Sequence, residues 1–232
     1  ILEVFMNLKF LSNTALFRGL KPEEIQAVLS CLHAQVKFFP REEILCRAGE
    51  SVASMGMILS GSVNIVVNYY WGGSSIFGHV GPGELFAESY AAVPGRELLV
   101  NVVADEPTEV LLLPFLRLTE TCARSCPFHS RTIHNLLQIM AEKNLHFSVR
   151  MMHIASRSIR NRLLSYFSEQ AVQNGSSRFT IPFSRQQLAD YLGVDRSALS
   201  NELSRMQKDG LITYKKNQFM LTEKSQELYP AS

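Results

Sequence analysis

Ser184-Arg185-Gln186-Gln187-Leu188-Ala189-Asp190-Tyr191-Leu192-Gly193-Val194-Asp195-Arg196-Ser197-Ala198-Leu199-Ser200-Asn201-Glu202-Leu203 specifies two short helices and the turn between them. Ser184 and Gln187 have the spacing of a capping box, in which each side chain serves the other's amide, so a helix opens here and runs through Tyr191. Gly193 permits a tight turn, and Asp195 caps a second helix. Leu188, Ala189, Leu192, Val194, Leu199 and Leu203 supply the small three-sided core of a helix-turn-helix. With Leu199, Leu203 and Met206 committed to that core, Arg196, Ser197, Ser200 and Asn201 stand on the outward N-terminal face of the second helix. From there side chains reach base edges in a DNA major groove.

Any two short helices can form a purely structural hairpin, so the segment C-terminal to them decides between the two readings. Leu211-Ile212-Thr213-Tyr214 and Gln218-Phe219-Met220-Leu221 flank Lys215-Lys216-Asn217. That is a β-hairpin whose tip carries two cations suited to phosphate. Residues 157–232 hold eleven Lys and Arg against seven Asp and Glu, a balance of +4, whereas residues 1–156 hold twelve against fourteen, a balance of −2. The wing and the basic C-terminal third together favour a winged DNA reader over a structural hairpin.

Upstream of this motif, Ser158 to Phe167 begins an amphipathic helix that Asn174-Gly175-Ser176-Ser177 ends, so a separate domain starts near residue 156. Ile133, Leu137, Met140, Asn144, Phe147, Met151 and Ile154 recur at alternating intervals of four and three, a heptad seam on one long helix. Such a seam can cover a neighbouring domain or pair with its own copy. Asn144 within it favours pairing, because a buried Asn needs a polar partner and a parallel dimer provides one; contact with a bound effector is the other role open to it.

From Val36 to Pro114 the texture is short β-branched runs: Val63 to Val67, Ile76 to Val80, Val100 to Val103 and Glu109 to Leu113. Gly49-Glu50, Ser60-Gly61-Ser62, Trp71-Gly72-Gly73, Gly81-Pro82-Gly83 and Pro94-Gly95 punctuate them, which is the rhythm of an antiparallel roll. Leu16, Leu20, Ile25, Val28, Leu29 and Leu32 stand at helical spacing ahead of it, with Pro22 where a helix can begin.

The 232 residues suit two modest domains, and 46% hydrophobic with 19% charged residues suffices for a core without disulfides or metals. Cys31, Cys46, Cys122 and Cys126 form no paired motif and read as buried reduced thiols. There is no long uncharged apolar run, and Ile1 to Asn13 lacks the features of a secretory signal, so the chain reads as cytoplasmic and without a membrane partner. No G-x-S-x-G, Walker loop or H-x-H group is present, and no Cys-His pair is placed by a local motif, which leaves nucleophilic, phosphoryl-transfer and cupin-type metal-oxygenase readings without support. The chain reads as a non-enzyme with no metal site.

Taken in order, residues 36–221 resemble the cyclic-AMP receptor and fumarate-nitrate reductase regulator (Crp/Fnr) family. The likeness rests on Gly81-Pro82-Gly83-Glu84-Leu85-Phe86-Ala87-Glu88-Ser89, Thr108 to Leu112, the heptad helix, and Ser184 to Gln187 through Gly193 to Ser200. It implies an α+β fold with three parts. These are a cyclic-nucleotide-binding-type antiparallel β-roll with leading helices at 1–124, a parallel dimerisation helix and hinge at 125–155, and a winged helix-turn-helix at 156–232. It further implies a homodimer on a two-fold symmetric double-stranded operator, with RNA polymerase and a small-molecule effector as further partners. Ser184 and Arg185 then fall to phosphate, Gln186 to the DNA contact set, and Arg196 to guanine. Asp195, Ser197, Ser200, Asn201, Lys215 and Lys216 complete the DNA set, and Ile133, Leu137, Met140, Asn144, Phe147 and Met151 the dimer interface. Ser197 replaces a common acidic residue and Asn201 a common arginine, so the operator should differ from the best-known one.

The effector region carries over less completely. Gly83, Glu84, Leu85, Ala87, Glu88 and Ser89 match the family's nucleotide-binding stretch, with Glu88 at the ribose-binding position, while Lys143 and Asn144 match positions that reach toward effector. Leu98 and Leu99, however, stand where the family has a phosphate-binding arginine and a hydroxyl residue, and an apolar pair cannot neutralise a phosphate. Arg96 lies two residues earlier, on the same strand face as Leu98 if the strand is regular, and a bulge or slip there would substitute it. The expected function is therefore a regulator answering to an effector other than cyclic AMP, with no cofactor specified. The alternatives are a cyclic-nucleotide responder with a substituted phosphate contact and a regulatory module that does not bind DNA. An iron-sulfur version needs an N-terminal cysteine cluster, and a haem version would have to use His79.

Overall fold

The computed structural model describes residues 7–119 and 127–228, and packing divides the chain into two units, Ile1–Glu142 and Lys143–Ser232. Cys122, Cys126 and the expected limit at 124/125 lie outside the described residues. The first unit opens with α1 (Leu8–Ser12) and α2 (Pro22–Leu32) and continues through β1 (Gln35–Phe39), β2 (Ile44–Cys46), β3 (Ser54–Ser60), β4 (Val63–Asn68), β5 (Ser74–Val80) and β6 (Leu85–Phe86). Then come α3 (Glu88–Ala91), β7 (Asn101–Ala104), β8 (Thr108–Pro114), α4 (Phe115–Thr119) and the start of α5 (Pro127–Ile154). Two four-stranded antiparallel sheets, ordered β1-β8-β3-β6 and β2-β7-β4-β5, make the expected roll.

Strand β8 shows how the roll is held. Val110 joins Ile58, Val63, Phe86 and Val102 in one buried cluster, whereas Leu111 and Leu113 join Met55, Met57 and the apolar face of α2 in another. A strand covered on both faces has no polar side, which is why its run is continuously apolar. Each such side chain contributes roughly 1.5–3 kcal/mol by leaving water. On β3, Gly56 is required by its neighbour, since a Cβ there would lie 2.1 Å from the ring of Phe86. Asn135 ties α5 to this unit, its amide donating to the carbonyls of Leu16 (2.9 Å) and Arg18 (3.0 Å).

Two expectations are corrected here. The regular strand that would set Arg96 and Leu98 on one face is absent: Glu97 makes an isolated bridge with Ser51, after the turn at Pro94-Gly95, and Leu98 exchanges backbone bonds with Gly49 and Glu50. Cys31 is exposed, because it falls on the outer side of α2, and Cys46 is half-buried, its thiol pushed up to about 11 by burial and then by Glu50.

The second unit contains the end of α5, α6 (Ile159–Asn174), β9 (Arg178–Thr180), α7 (Arg185–Leu192), α8 (Arg196–Lys208), β10 (Ile212–Lys215), β11 (Gln218–Leu221) and α9 (Glu223–Leu228). Its sheet runs β10-β11-β9, so β9 adds a third strand to the expected hairpin. Leu163, Phe167, Leu188, Leu192, Leu199, Leu203 and Met206 are fully buried in its core. Three arginines fasten the helices. Arg150 donates to the carbonyls of Tyr191 (2.9 Å) and Asp190 (2.8 Å), and Arg162 to those of Leu192 (2.9 Å) and Gly193 (3.1 Å). Together they bond carbonyls at the end of α7, of which that of Asp190 also accepts from the Gly193 amide (3.3 Å). Arg160 joins α6 to Glu202 (2.6 Å) and Asp209 (2.7 Å) of α8 and its cap. The last turns of α5 thus pack with the C-terminal unit, and the division at 142/143 falls inside α5, ahead of the expected divide at 155/156.

Candidate functional site

The reading helix is positioned by its caps. The Ser184 hydroxyl accepts from the Gln187 amide (3.3 Å) while the Ser184 amide donates to the Gln187 side chain (2.8 Å), closing the expected capping box. Gly193 ends α7 in the left-handed conformation at φ 63°, which a residue with a Cβ adopts only under strain. Asp195 then accepts from the amides of Ser197 (2.8 Å) and Ala198 (2.9 Å) and from the Ser197 hydroxyl, and these bonds hold its carboxyl below its ordinary range. Asp195 and Ser197 are therefore engaged with each other at the start of α8. Arg196 and Asn201 are exposed, and Ser200 is half-buried with its hydroxyl donating to the Arg196 carbonyl (3.0 Å). Gln186 is exposed and donates to Asp190 (2.8 Å).

Between these helix starts and the wing lies a cleft of about 780 Å³. Ser184, Arg185, Arg196, Lys215 and Lys216 line it with Thr180, Asn217 and Gln218, and its lining holds no carboxylate among the described residues. Five of the expected DNA-facing residues are thus brought to one concavity. Its four guanidinium and ammonium groups repel one another and offer a polyanion a focused field. Arg185 is the least expected in its placement. Its Nη2 donates to the Lys216 carbonyl (2.7 Å), and its guanidinium lies over the rings of Tyr214 (5.1 Å) and Phe219 (5.0 Å). Burial lowers its pKa, with the nearby Tyr214 opposing. Thr180, Tyr214, Asn217, Gln218 and Phe219 were missed as site residues in the sequence. Tyr214 and Phe219 are direct cross-strand partners, a pairing that the hairpin's symmetry about Lys216-Asn217 made available.

On α5 the heptad residues separate into two groups. Ile133 and Met140 are half-buried against the core of the first unit, whereas Leu137, Asn144, Phe147 and Met151 are exposed. Leu145 and Met152 are exposed as well, at 63% and 64%, and stand seven apart one position beyond the expected seam. Ala141 and Ser148, both exposed, fill the intervening positions. The open apolar face is therefore wider than the alternating four-and-three pattern indicated.

In the first unit Glu88 is buried in the first turn of α3, directly after Ala87, which adopts φ 59°. Gly83 takes φ 83°, Leu85 is buried, Ser89 is exposed, and the exposed Glu84 side chain accepts from the Gly81 amide (2.8 Å). Leu98 is 2% exposed and Leu99 69%, so the two side chains do not act as a pair, and Arg96 is exposed. Lys143 and Asn144 belong to the second unit. His79 is exposed and bonds through Nδ1 to the Asn64 side chain (3.0 Å). Among the described residues no helix is long and apolar enough to cross a membrane.

Comparison with known proteins agrees with this geometry. The family model described as a cyclic nucleotide-binding domain matches residues 36–125, and the Crp-like helix-turn-helix domain matches residues 161–226. The cyclic AMP receptor protein of Thermus thermophilus is 26% identical over 202 residues, covering 87% of this chain and 89% of that protein. Among solved structures, CprK complexed with OCPA superposes with a TM-score of 0.64 at 17% identity, over 86% of this chain and 91% of that one. The c-di-GMP responsive global regulator CLP of Xanthomonas campestris superposes at 0.58 and 18% identity, over 87% and 99%. These two likenesses establish a shared fold.

Proposed function

The chain belongs to the Crp/Fnr family of DNA-binding transcription regulators, joining a cyclic nucleotide-binding-type domain to a Crp-like helix-turn-helix, and from that premise we propose a homodimer that reads a two-fold symmetric operator under the control of a small effector other than cyclic AMP. The observation that carries the DNA-reading part is the cleft in which Ser184, Arg185, Arg196, Lys215 and Lys216 converge at the start of the capped helix α8. Arg196 reads a guanine there by a bidentate contact, worth about 1–3 kcal/mol of discrimination. Lys215 and Lys216 hold phosphate, which positions the domain without specifying sequence. Ser184, Gln186, Ser197, Ser200 and Asn201 complete the contact surface.

The exposed face of α5 supports the dimer. Leu137, Leu145, Phe147, Met151 and Met152 stand open to water in one protomer, and a parallel partner helix buries them while giving Asn144 its own copy to bond. Ala141 and Ser148 allow the helices a close approach. Effector binding near Glu88 shifts the population of dimer packings and hence the spacing of the two reading helices. The operator-bound dimer meets RNA polymerase in the cytoplasm.

Cyclic AMP is disfavoured because Leu98 is committed to the core, Leu99 brings no charge and Arg96 is exposed. Selection of duplexes from a random pool tests the DNA reading. Two-fold sites with half-site centres about 10–10.5 base pairs apart are expected, and enrichment of no symmetric site overturns it. Thermal unfolding with cyclic AMP tests the effector reading. No shift is expected, whereas stabilisation approaching the roughly 2.7 kcal/mol of a ligand at a hundredfold excess over its dissociation constant overturns it.

A further inference from the structure

We propose that Arg185 is the positioning residue of the wing: one guanidinium nitrogen holds the hairpin tip by the Lys216 carbonyl, and the plane rests on Tyr214 and Phe219. The inference rests on the DNA-reading function above, and deepens it by giving this arginine a task other than that of a simple backbone contact. The hairpin tip needs holding, because Lys216 adopts φ 54°, a left-handed conformation that a residue with a long side chain rarely takes unaided. Only two bonds outside the hairpin reach the tip among the described residues. The Ile181 amide donates to the Asn217 carbonyl (2.9 Å), and Arg185 Nη2 donates to the Lys216 carbonyl (2.7 Å). The first comes from the neighbouring strand segment. The second comes from the first turn of α7, and is thus the bond that couples the wing to the helix-turn-helix.

The rest of the guanidinium is divided in the same way. Its plane covers both members of the Tyr214–Phe219 cross-strand pair, at 5.1 and 5.0 Å from the ring centres. Stacking of this kind requires a flat, delocalised cation, which lysine does not offer. Nη1 is buried and has no hydrogen-bond partner among the described residues. Arg185 also lines the cleft with Arg196, Lys215 and Lys216, so the tip that it holds carries two of the cations offered to a DNA backbone phosphate. Phosphate binding by the tip therefore depends on wing placement by this one side chain. When Arg185 releases the tip, Lys215 and Lys216 lose their aim as well.

Arg185→Lys separates this role from simple charge, because it keeps the cation but cannot stack flat on two rings. The test measures binding of the full chain to a duplex of arbitrary sequence as a function of salt. Removing a single phosphate contact changes the slope of log K against log salt by about one. For Arg185→Lys the positioning role predicts a fall of about two, as Lys215 and Lys216 both lose their aim, with Lys215→Ala adding nothing further in that background. In the free protein, amides from Tyr214 to Phe219 should exchange with solvent at least tenfold faster while those of α7 and α8 keep their protection. A wild-type salt slope, or unchanged protection of the wing, overturns the assignment. Should Arg185→Lys fail to fold, Tyr214→Leu removes one stacking face and is read by the same two measurements with the same expectations. Failure of the unsubstituted protein to bind any duplex is a different result, and removes the DNA-reading function itself.

Discussion

The cleft at the wing and the stretch from Gly83 to Leu99 both contain residues that a family resemblance marks as ligand contacts, yet the fold treats them differently. In the first, Ser184, Arg185, Arg196, Lys215 and Lys216 line one concavity, because local rules place them: two capped helices, one left-handed glycine and one two-strand hairpin. In the second, adjacent residues part company, with Leu98 in the core and Leu99 in water. No local rule set that outcome, since residues 96–99 lie outside the helices and the sheet ladders, and contacts with Gly49, Glu50, Ser51 and Tyr90 orient them. A site built from capped elements is more transferable between relatives than one carried on a loop.

The largest test of this contrast is truncation of the two cores. Leu199→Ala and Leu98→Ala should each cost about 2–5 kcal/mol of unfolding free energy, measured by thermal or urea denaturation. Leu199→Ala should also abolish duplex binding, and Leu98→Ala should spare it. A neutral Leu98→Ala would mean that this side chain is free to meet a ligand, and would revive a direct effector role for it.

Next in size are substitutions within the cleft. Arg196→Ala should lose about 1–3 kcal/mol of discrimination at one base pair and keep its preferences elsewhere. Lys215→Ala should weaken all duplexes about equally and reduce the salt slope by about one. Competition binding against single-base operator variants distinguishes the two, and uniform loss from both would break the division between reading and positioning.

A smaller effect comes from the Asp195 cap. Bonds from the Ser197 hydroxyl, the Ala198 amide and the Ser197 amide hold its carboxyl below the ordinary carboxylate value. The carboxylate therefore stabilises α8 fully above that ordinary value, and the contribution disappears as pH falls through the lowered one. Thermal midpoints across the acid range should show this loss in the unsubstituted protein and not in Asp195→Asn. Identical acid profiles would mean that the cap does not stabilise the helix. Smallest of all, Leu99→Ala should change stability by no more than about 0.5 kcal/mol. Paired with Leu98→Ala, it measures how far two adjacent leucines differ in role.

Most of the fold was legible because its signals are short-range. The capping box at Ser184-Gln187, the turn at Gly193, the cap at Asp195 and the hairpin about Lys216-Asn217 each depend on residues within four positions of one another. The roll was legible as strands and turns from Val63 to Leu113, and the long helix from its heptad spacing. The third wing strand, Arg178–Thr180, was not, because three residues carry little periodicity and pair only once β11 is in place.

By itself, the sequence determined the order of elements, the two capped helices of the reader, the basic tip of the wing and the apolar stripe of α5, since each is written in neighbouring residues. Only the tertiary structure decided which way single side chains face. It turned Leu98 in and Leu99 out, divided the heptad residues of α5 between the first unit's core and the solvent, tied the end of α5 to α7 through Arg150, and placed Arg185 over two rings of the wing. The physical reason is that hydrogen bonds and caps close over a few residues, whereas burial and ring stacking depend on surfaces that come together only when the chain has folded.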